Sequence, residues 1–295
     1  MFLPFENAPA EAVTLASGEI VDWGVHAVGA DLAWRRGVRG MGVKVAVIDT
    51  GLSPHPDLPN AKQVSGAGKP AAGLSEPDTI GHGTHVSGII GAVDNGFGVI
   101  GVAPGCLITV YGCVPGDPLG VANAIESATN DGANVINCSC GTYEDVPQVH
   151  DAVRKAVAAG VVVVASAGND PAQGVAYPAA YPEVIAVSAV DNGGNLAAFA
   201  PDLGCASPNH CYCPGVSVLS TWTEGRYARM SGTSQAAPMI TGLVALLLSY
   251  FAPTRDVAVA TVERELCRLA DADAAFHYVP RATNAAFSCA EGTCG

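Results

Sequence analysis

The sequence contains few basic residues: 14 Lys and Arg stand against 27 Asp and Glu in 295 residues, for a net charge of −13. No Lys- or Arg-rich cluster occurs, so we expect neither nucleic acid nor a membrane surface as a partner. No uninterrupted apolar run reaches the ~18 residues of a membrane-spanning helix, so none is predicted. A G-x-S-x-G motif, the nucleophile elbow of α/β-hydrolases, is also missing.

The first residues, "MFLPFENAPAEAV", have neither a basic region nor the apolar stretch that a signal peptide needs. We therefore expect a cytoplasmic protein. Export is the alternative if the cysteines form disulfides, because disulfides persist mainly outside the cytosol. The sequence predicts no oligomeric state.

The sequence contains ten cysteines, which is many for a cytosolic enzyme. Cys138/Cys140 and Cys211/Cys213 form C-x-C pairs, which differ from the C-x2-C spacing of zinc sites. Either free thiols or disulfides fit the pattern, including one disulfide within 205–213 and another in the C-terminal tail.

The middle of the chain alternates short β-branched runs with helical patterns, which predicts an α/β fold of three layers: a mostly parallel sheet with helices on both faces. Because 49% of the residues are hydrophobic, a sizeable core can form. We expect a short N-terminal extension at 1–18 and a single domain at 19–295. The predicted strands are 43–49, 107–114, 133–139, 160–166 and 183–190, and the predicted helices are 81–92, 118–130, 147–159, 234–250 and 255–269.

Four polar residues lie at predicted strand ends or helix starts, where parallel α/β sheets place their chemistry. Taken singly, Asp49 and Asn169 could form turns, His82 could cap a helix, and Ser234 suits an N-cap. Taken together, they supply a nucleophile, a base, a carboxylate that orients the base, and a donor for a developing oxyanion. The set therefore predicts acyl-transfer chemistry.

Three blocks, "VAVIDTGLSPHPDL", "GHGTHVSGII" and "SGTSQAAP", resemble the signature blocks of subtilisin-like serine proteases (subtilases). Their order, Asp then His then Ser, is that of the subtilisins. The resemblance implies a subtilisin-like fold and serine endopeptidase activity on proteins or peptides. It assigns Asp49 as the orienting carboxylate, His82 as the base, Ser234 as the nucleophile and Asn169 as an oxyanion donor. His85 is left with a structural role.

The resemblance also implies a pocket for the residue before the scissile bond. The segment "NCSCG" would pair with an extended peptide substrate, as an added strand does. We expect broad specificity for medium to large apolar residues, with Lys or Arg tolerated through Asp170 at the rim and a floor made shallow by Ala176. The pocket residues implied are Ser139, Cys140, Gly141, Ser166, Ala167, Gly168, Asp170 and Ala176.

A structural Ca²⁺ site is implied as well, because "VDNGFGVIG" resembles the calcium loop of subtilisins. A Gly-rich turn without metal is the alternative. Calcium favours oxygen ligands of the kinds that this set offers. The ligands implied are the side chains of Glu19, Asp57 and Asn95 and the backbone carbonyls of Val93, Phe97 and Val99.

The N-terminal extension resembles that of intracellular subtilisins, in which a short motif blocks the active site. Leu3-Pro4-Phe5 would be its core, since proline's fixed φ and missing N–H let a segment dock while resisting cleavage. A disordered tail is the alternative. The extension is thus a candidate intramolecular inhibitor.

Gln235 departs from the family pattern, which often has methionine next to the nucleophile. A thioether there is readily oxidised, so Gln235 predicts tolerance of peroxide.

Two other functions are alternatives to a serine endopeptidase. An aspartic protease needs two carboxylates, and only one Asp-Thr-Gly occurs. A catalytically silent subtilase-fold binding module remains the alternative to the enzyme.

Overall fold

The computed structural model describes residues 11–15, 18–65, 78–113, 117–204 and 209–251. Its main sheet has seven parallel strands: β3 (Lys44–Asp49), β4 (Ala61–Ser65), β6 (Leu107–Gly112), β7 (Val135–Cys138), β8 (Val162–Ser166), β9 (Ile185–Val190) and β10 (His210–Pro214). Their order across the sheet is β10-β9-β8-β7-β3-β6-β4.

Helices cover both faces of this sheet, as the alternating sequence predicts. The longer helices are α3 (His82–Gly91), α4 (Pro118–Asn130), α5 (Pro147–Ala158) and α6 (Thr233–Phe251), preceded by the short α1 (Trp23–Ala27) and α2 (Ala30–Arg35). α3 and α6 pack on one face, and α4 and α5 on the other. The predicted helix at 255–269 lies outside the described residues.

The central strand β3 shows why the predicted strands are apolar along their whole length. Val45 and Val47 enter the core beneath α3 and α6, whereas Ala46 and Ile48 enter the core beneath α4 and α5. A strand covered on both faces needs apolar residues at successive positions rather than at alternate ones. The result is the predicted three-layer α/β architecture.

Two small sheets lie beside the main one and were not predicted. One is β1-β12-β11, in which β1 (Glu11–Val13) and β11 (Val218–Thr221) each pair antiparallel with β12 (Tyr227–Met230). The other pairs β2 (Glu19–Ile20) in parallel with β5 (Gly98–Val99). Part of the predicted N-terminal extension therefore forms a strand on the body of the protein.

Helix α6 is the core helix of the fold. Its length and mean hydropathy would suffice for a membrane span, but 72% of that window is buried inside the protein. Pro238 is the sixth residue of α6, so its missing N–H leaves the Ser234 carbonyl without its helical donor, and Ser139 Oγ donates to that carbonyl instead. α6 is best explained as the central buried helix of a globular domain, and it places Ser234 near its N-terminus.

Candidate active site

Asp49 and His82 meet where β3 ends and α3 begins. Nδ1–H of His82 donates to Oδ1 of Asp49 at 2.7 Å, and the Thr50 N–H donates to the same oxygen at 2.7 Å. Both side chains of the pair are almost fully buried. The carboxylate thereby fixes the imidazole tautomer with the proton on Nδ1, which leaves Nε2 as the basic nitrogen.

Glycine at position 83 allows α3 to approach β3 this closely. A Cβ on Gly83 would overlap the carbonyl oxygen of Gly51 and lie 3.1 Å from Cβ of Asp49. The preceding Gly81 has φ +89°, a left-handed conformation that glycine adopts without strain. Gly83 is thus required by the contact of the helix with the strand end, and Gly81 by the left-handed backbone that enters the helix.

Asp78 is a functional residue that sequence reasoning missed. Its buried carboxylate accepts hydrogen bonds from the N–H groups of Ile80 and Gly81 and from the hydroxyl of Thr50, all at Oδ1. The N–H and hydroxyl of Thr84 donate to Oδ2. Asp78 therefore ties the turn after Asp49 to the first turn of α3, and so positions the Asp49–His82 pair.

Ser234 lies in the first turn of α6 and is 5% exposed. Its Oγ donates to the Ser139 carbonyl at 3.2 Å, and Ser139 Oγ donates to the Ser234 carbonyl at 3.1 Å. The N-terminus of a helix favours nearby negative charge through its N–H groups and dipole. Ser234 is thus locked to the segment after β7, at a place suited to an oxyanion.

Asn169 lies beside this helix start, and Thr233 fixes its side-chain amide. The Thr233 N–H and hydroxyl both donate to Oδ1 of Asn169, at 3.0 and 2.9 Å. A backbone N–H can only donate, so the oxygen of the amide must face Thr233. The planar amide then directs its NH₂ group away from Thr233, as an oxyanion donor requires.

A buried polar network sets the segment after β7 against α6. Asn137 Nδ2 donates to Ser139 Oγ at 2.9 Å, and Thr241 Oγ1 donates to Asn137 Oδ1 at 2.8 Å. All three side chains are buried. Satisfied buried networks of this kind hold one geometry. The network links the residues of the predicted pocket to the helix that carries Ser234.

The structure brings the predicted pocket residues together as two walls and a floor. One wall is 139–141 after β7, and the other is 166–170 at the end of β8. A Cβ on Gly141 would lie 3.4 Å from Cβ of Ala176, and a Cβ on Gly168 would lie 3.1 Å from the same atom. The Ala176 methyl therefore lies between the walls, with the remaining predicted residues alongside: Ser139, Cys140, Ser166, Ala167 and Asp170.

The Asp170 carboxylate at the rim already has partners. Oδ1 accepts from the Ala172 N–H at 3.1 Å, and Oδ2 accepts from Gln173 Nε2 at 2.7 Å. Its hydrogen-bonding capacity for a basic substrate side chain is thereby reduced. Cys140, on the opposite wall, is only partly exposed, and burial raises the pKa of its thiol well above the usual range.

Three of the predicted calcium ligands adjoin one another. Glu19 Oε1 accepts from the N–H groups of Asn95 and Gly96 at 2.9 and 3.3 Å, and Asn95 Nδ2 lies 3.2 Å from Oδ1 of the buried Asp57. A Cβ on Gly98 would overlap Oδ2 of Asp57, so the loop needs glycine to fold over this carboxylate.

The donor chemistry of this loop fits a calcium ion. The predicted set combines two carboxylates, one amide and the backbone carbonyls of Val93, Phe97 and Val99, which are oxygen donors of the kinds that calcium favours. The described residues contain no group of three His, Cys, Asp or Glu side chains arranged for a metal, so the carbonyls are essential to the set. Coordination by Asn95 Oδ1, which accepts from the Phe97 N–H at 3.1 Å, requires the amide to turn over.

His85, the second histidine of its motif, is fully buried and its Nε2–H donates to the Ala228 carbonyl at 3.0 Å. Burial lowers the pKa of His85 to about 3, so this ring is neutral at ordinary pH. A neutral ring that joins α3 to β12 fits the structural role that the family resemblance gave it.

Gln235 is also fully buried. Its Nε2 lies 4.0 Å from Sδ of Met230, and its Oε1 has no hydrogen-bond partner within the described part of the chain. A thioether on β12 therefore lies beside the Gln235 side chain.

Free thiols in the described ranges include Cys106, Cys113, Cys138, Cys140 and Cys213. Burial raises the pKa of Cys106 and of Cys113 to about 12. Such thiols are poor nucleophiles, because the thiolate is the reactive form. Cys205, Cys289 and Cys294, which the sequence suggested as disulfide partners, lie outside the described residues.

Comparison with known proteins agrees with this geometry. Residues 40–283 match the sequence model described as the Subtilase family. Subtilisin Savinase from Lederbergia lenta is 41% identical over 231 residues, which cover 77% of this chain and 84% of that protein. The chain therefore belongs to the subtilase family, and its sheet and helices are those of a subtilisin-like α/β fold.

Other relatives are longer than the aligned region. The Thermostable alkaline protease of Halalkalibacterium halodurans is 40% identical over 240 residues, and the match spans 79% of this chain but 64% of that protein. The Minor extracellular protease Epr of Bacillus subtilis (strain 168) is 38% identical over 239 residues, which span 36% of its length. The chain thus spans less than two thirds of these relatives.

Proposed function

We propose that the chain is a serine endopeptidase that hydrolyses peptide bonds through an acyl-enzyme on Ser234. The observation that supports this most is the buried 2.7 Å hydrogen bond between His82 Nδ1 and Asp49 Oδ1, on a helix packed against the one that carries Ser234. The relatives named as proteases agree with the proposal.

The chemistry follows from the tautomer that Asp49 imposes. Ser234 Oγ turns from the Ser139 carbonyl to His82, Nε2 takes its proton, and Oγ attacks the substrate carbonyl carbon. The Asn169 NH₂ and the Ser234 N–H donate to the resulting oxyanion. The His82 imidazolium then protonates the departing amine, and water hydrolyses the ester by the same steps in reverse.

Hydrolysis of casein and of short peptides tests the proposal. Wild-type protein should cleave both, whereas Ser234→Ala and His82→Ala should lose nearly all activity. Ser231→Ala is the matched control, since it makes the same change just before α6 and should retain activity. Wild-type protein that binds peptides without cleaving them would support the alternative, a catalytically silent subtilase-fold module.

We propose further that residues 1–10 act as an intramolecular inhibitor. β1 pairs with β12 in an antiparallel register of Glu11 with Arg229 and Val13 with Tyr227. Glu11, the first residue of β1, therefore lies opposite the end of β12 that leads toward Ser234. Leu3-Pro4-Phe5, the predicted inhibitory motif, lies outside the described residues.

Deletion of residues 1–10 tests this regulation while keeping β1. The deletion variant should cleave a short peptide faster than the full chain, with a similar melting temperature because β1 is retained. The same segment added in trans as a peptide should slow the deletion variant again. Equal rates for the full chain and the variant would contradict self-inhibition.

We also propose that Ca²⁺ binds between Glu19, Asp57 and the loop 93–99 and stabilises the fold. The oxygen-rich donor set and the buried Asp57 carboxylate support this assignment. Binding to the native state alone raises stability by mass action. The ion would hold β2 against β5, far from any proton transfer.

Thermal unfolding in Ser234→Ala protein, which cannot digest itself, tests the site. A chelator should lower the melting temperature, and Ca²⁺ should restore it where NaCl of equal ionic strength does not. Asn95→Ala should make the melting temperature insensitive to the chelator. A wild-type melting temperature that ignores the chelator would exclude the site.

We propose, finally, that the protein acts outside the cytoplasm. The sequence alone favoured a cytoplasmic protein, but one relative is named an extracellular protease. Fractionation of the source cells tests the location. Protein in the medium would support export, and protein confined to the cytoplasm would support the expectation from the sequence.

A further inference from the structure

Tyr143 bridges the two walls of the predicted pocket. It follows the wall at 139–141, yet its hydroxyl accepts hydrogen bonds from the backbone N–H groups of Asn169 and Asp170 on the other wall, the latter at 3.0 Å. A phenol in this position ties the walls together at one end of the pocket. None of the motifs in the sequence identifies this residue.

The edge of the Tyr143 ring occupies space next to the floor. A Cβ on Gly168 would lie 2.7 Å from Oη of Tyr143, 3.3 Å from its Cε1 and 3.1 Å from Cβ of Ala176. The ring edge and the floor methyl therefore face the same point of the Gly168 backbone. Ala176 is only 3% exposed, so little of the floor remains open.

Backbone hydrogen bonds hold Tyr143 in this place. The N–H of the preceding Thr142 donates to the Tyr177 carbonyl at 3.0 Å, and the Tyr177 N–H donates to the Thr142 carbonyl at 2.7 Å. These bonds join the segment before the ring to the segment that carries Ala176. The ring cannot move away from the floor without breaking this bridge or losing both donors to its hydroxyl.

We propose that Tyr143 limits the size of the substrate residue before the scissile bond, so that Ala and Ser are preferred to Leu and Phe. The proposal rests on the proposed endopeptidase function. It departs from the sequence-based expectation of medium to large apolar residues, which did not consider Tyr143. The ring adds a second barrier, besides the Ala176 methyl, at the end of the pocket.

The hydroxyl has a separate consequence. Because it accepts from the Asn169 N–H, it also helps position the residue proposed as the oxyanion donor. Loss of the hydroxyl alone should slow the chemical step for every substrate, whereas loss of the ring should change which substrate is preferred. The two roles can therefore be separated by two substitutions.

The test is kcat/KM for a peptide series that differs only in Ala, Leu or Phe before the scissile bond. Wild-type protein should prefer Ala. Tyr143→Ala should raise the Phe-to-Ala ratio at least tenfold, since even one methylene in a hydrophobic pocket changes selectivity by about 10–200-fold. Tyr143→Phe should keep the wild-type ranking and lower kcat for all three peptides.

Tyr143→Leu, a smaller truncation that keeps an apolar side chain, gives an intermediate ratio and covers the case in which Tyr143→Ala does not fold. Tyr250→Ala, at an exposed tyrosine on α6, is the matched control and should change no ratio.

An active wild type that prefers Phe, or an unchanged ranking in both truncations, would overturn the proposed role of Tyr143 and leave the proposed function intact. A wild type that cleaves no peptide would overturn the proposed function and this proposal with it.

Discussion

Replacing Asp78 by Asn should destabilise the protein by about 2–4 kcal/mol, although the two side chains have nearly the same shape. The carboxylate accepts five hydrogen bonds, three at Oδ1 and two at Oδ2. An amide has one oxygen, so its NH₂ group must face donors on one side. With the oxygen kept toward Thr50 and Gly81, the buried Thr84 N–H loses its acceptor.

The magnitude follows from that one position. A hydrogen bond to a charged group contributes ~1.5–3 kcal/mol, and a buried donor left without an acceptor costs ~1–3 kcal/mol. For a protein of this size, such a loss lowers the melting temperature by roughly 3–6 °C. The Thr84 hydroxyl can turn to accept from the NH₂ group, so only the Thr84 backbone N–H is left without an acceptor.

Thermal and urea unfolding in the Ser234→Ala background measure this effect without self-digestion. Asp117→Asn is the matched control, because Asp117 occupies the N-cap of α4 with an exposed side chain that makes no capping hydrogen bond. We expect a change below about 0.5 kcal/mol for this surface position. If Asp78→Asn costs no more than Asp117→Asn, the proposed positioning role of Asp78 is wrong.

Two further predictions concern buried side chains near the site. The pKa of His85 falls from its usual 6.5 to about 3 on folding, so its contribution to stability is complete above pH 6.5 and decreases as the pH falls toward 3. The unfolding free energy of wild type minus that of His85→Gln should then decrease by about 1.4 kcal/mol per pH unit between pH 6 and 4; a difference that does not change with pH would contradict this. Gln235→Met should lose activity in dilute peroxide faster than wild type, since methionine would place a thioether beside Ser234. Equal rates of loss would mean that oxidation at another residue, such as the neighbouring Met230, controls inactivation.

The fold was largely predictable because its central strands are buried on both faces. Such strands are apolar at consecutive positions, and β3, β7 and β8 were found within two residues of their predicted starts. Edge strands escaped prediction. β4, with the sequence Ala-Lys-Gln-Val-Ser, has a neighbour on one side only among the described strands, and its composition resembles a loop.

The candidate site was predictable only in part. Asp49, His82, Asn169 and Ser234 could be found because chain order and local motifs mark them. Asp78 and Tyr143 have no such mark, since their roles depend on contacts between segments that are separate in the sequence. An aspartate shortly before a helix start is a cue for capping. The bonds of Asp78 to Thr50 and of Tyr143 to the Asn169 segment are tertiary, and only the folded chain reveals them.

Labelling by a fluorophosphonate tests the central claim most directly, because the reagent reacts covalently only with an activated serine. We expect one adduct per chain by intact mass, located on Ser234, and no adduct on Ser234→Ala or His82→Ala protein. The control Ser231→Ala should be labelled like wild type. Folded wild-type protein that takes up no label, or takes it up at another residue, would contradict the account.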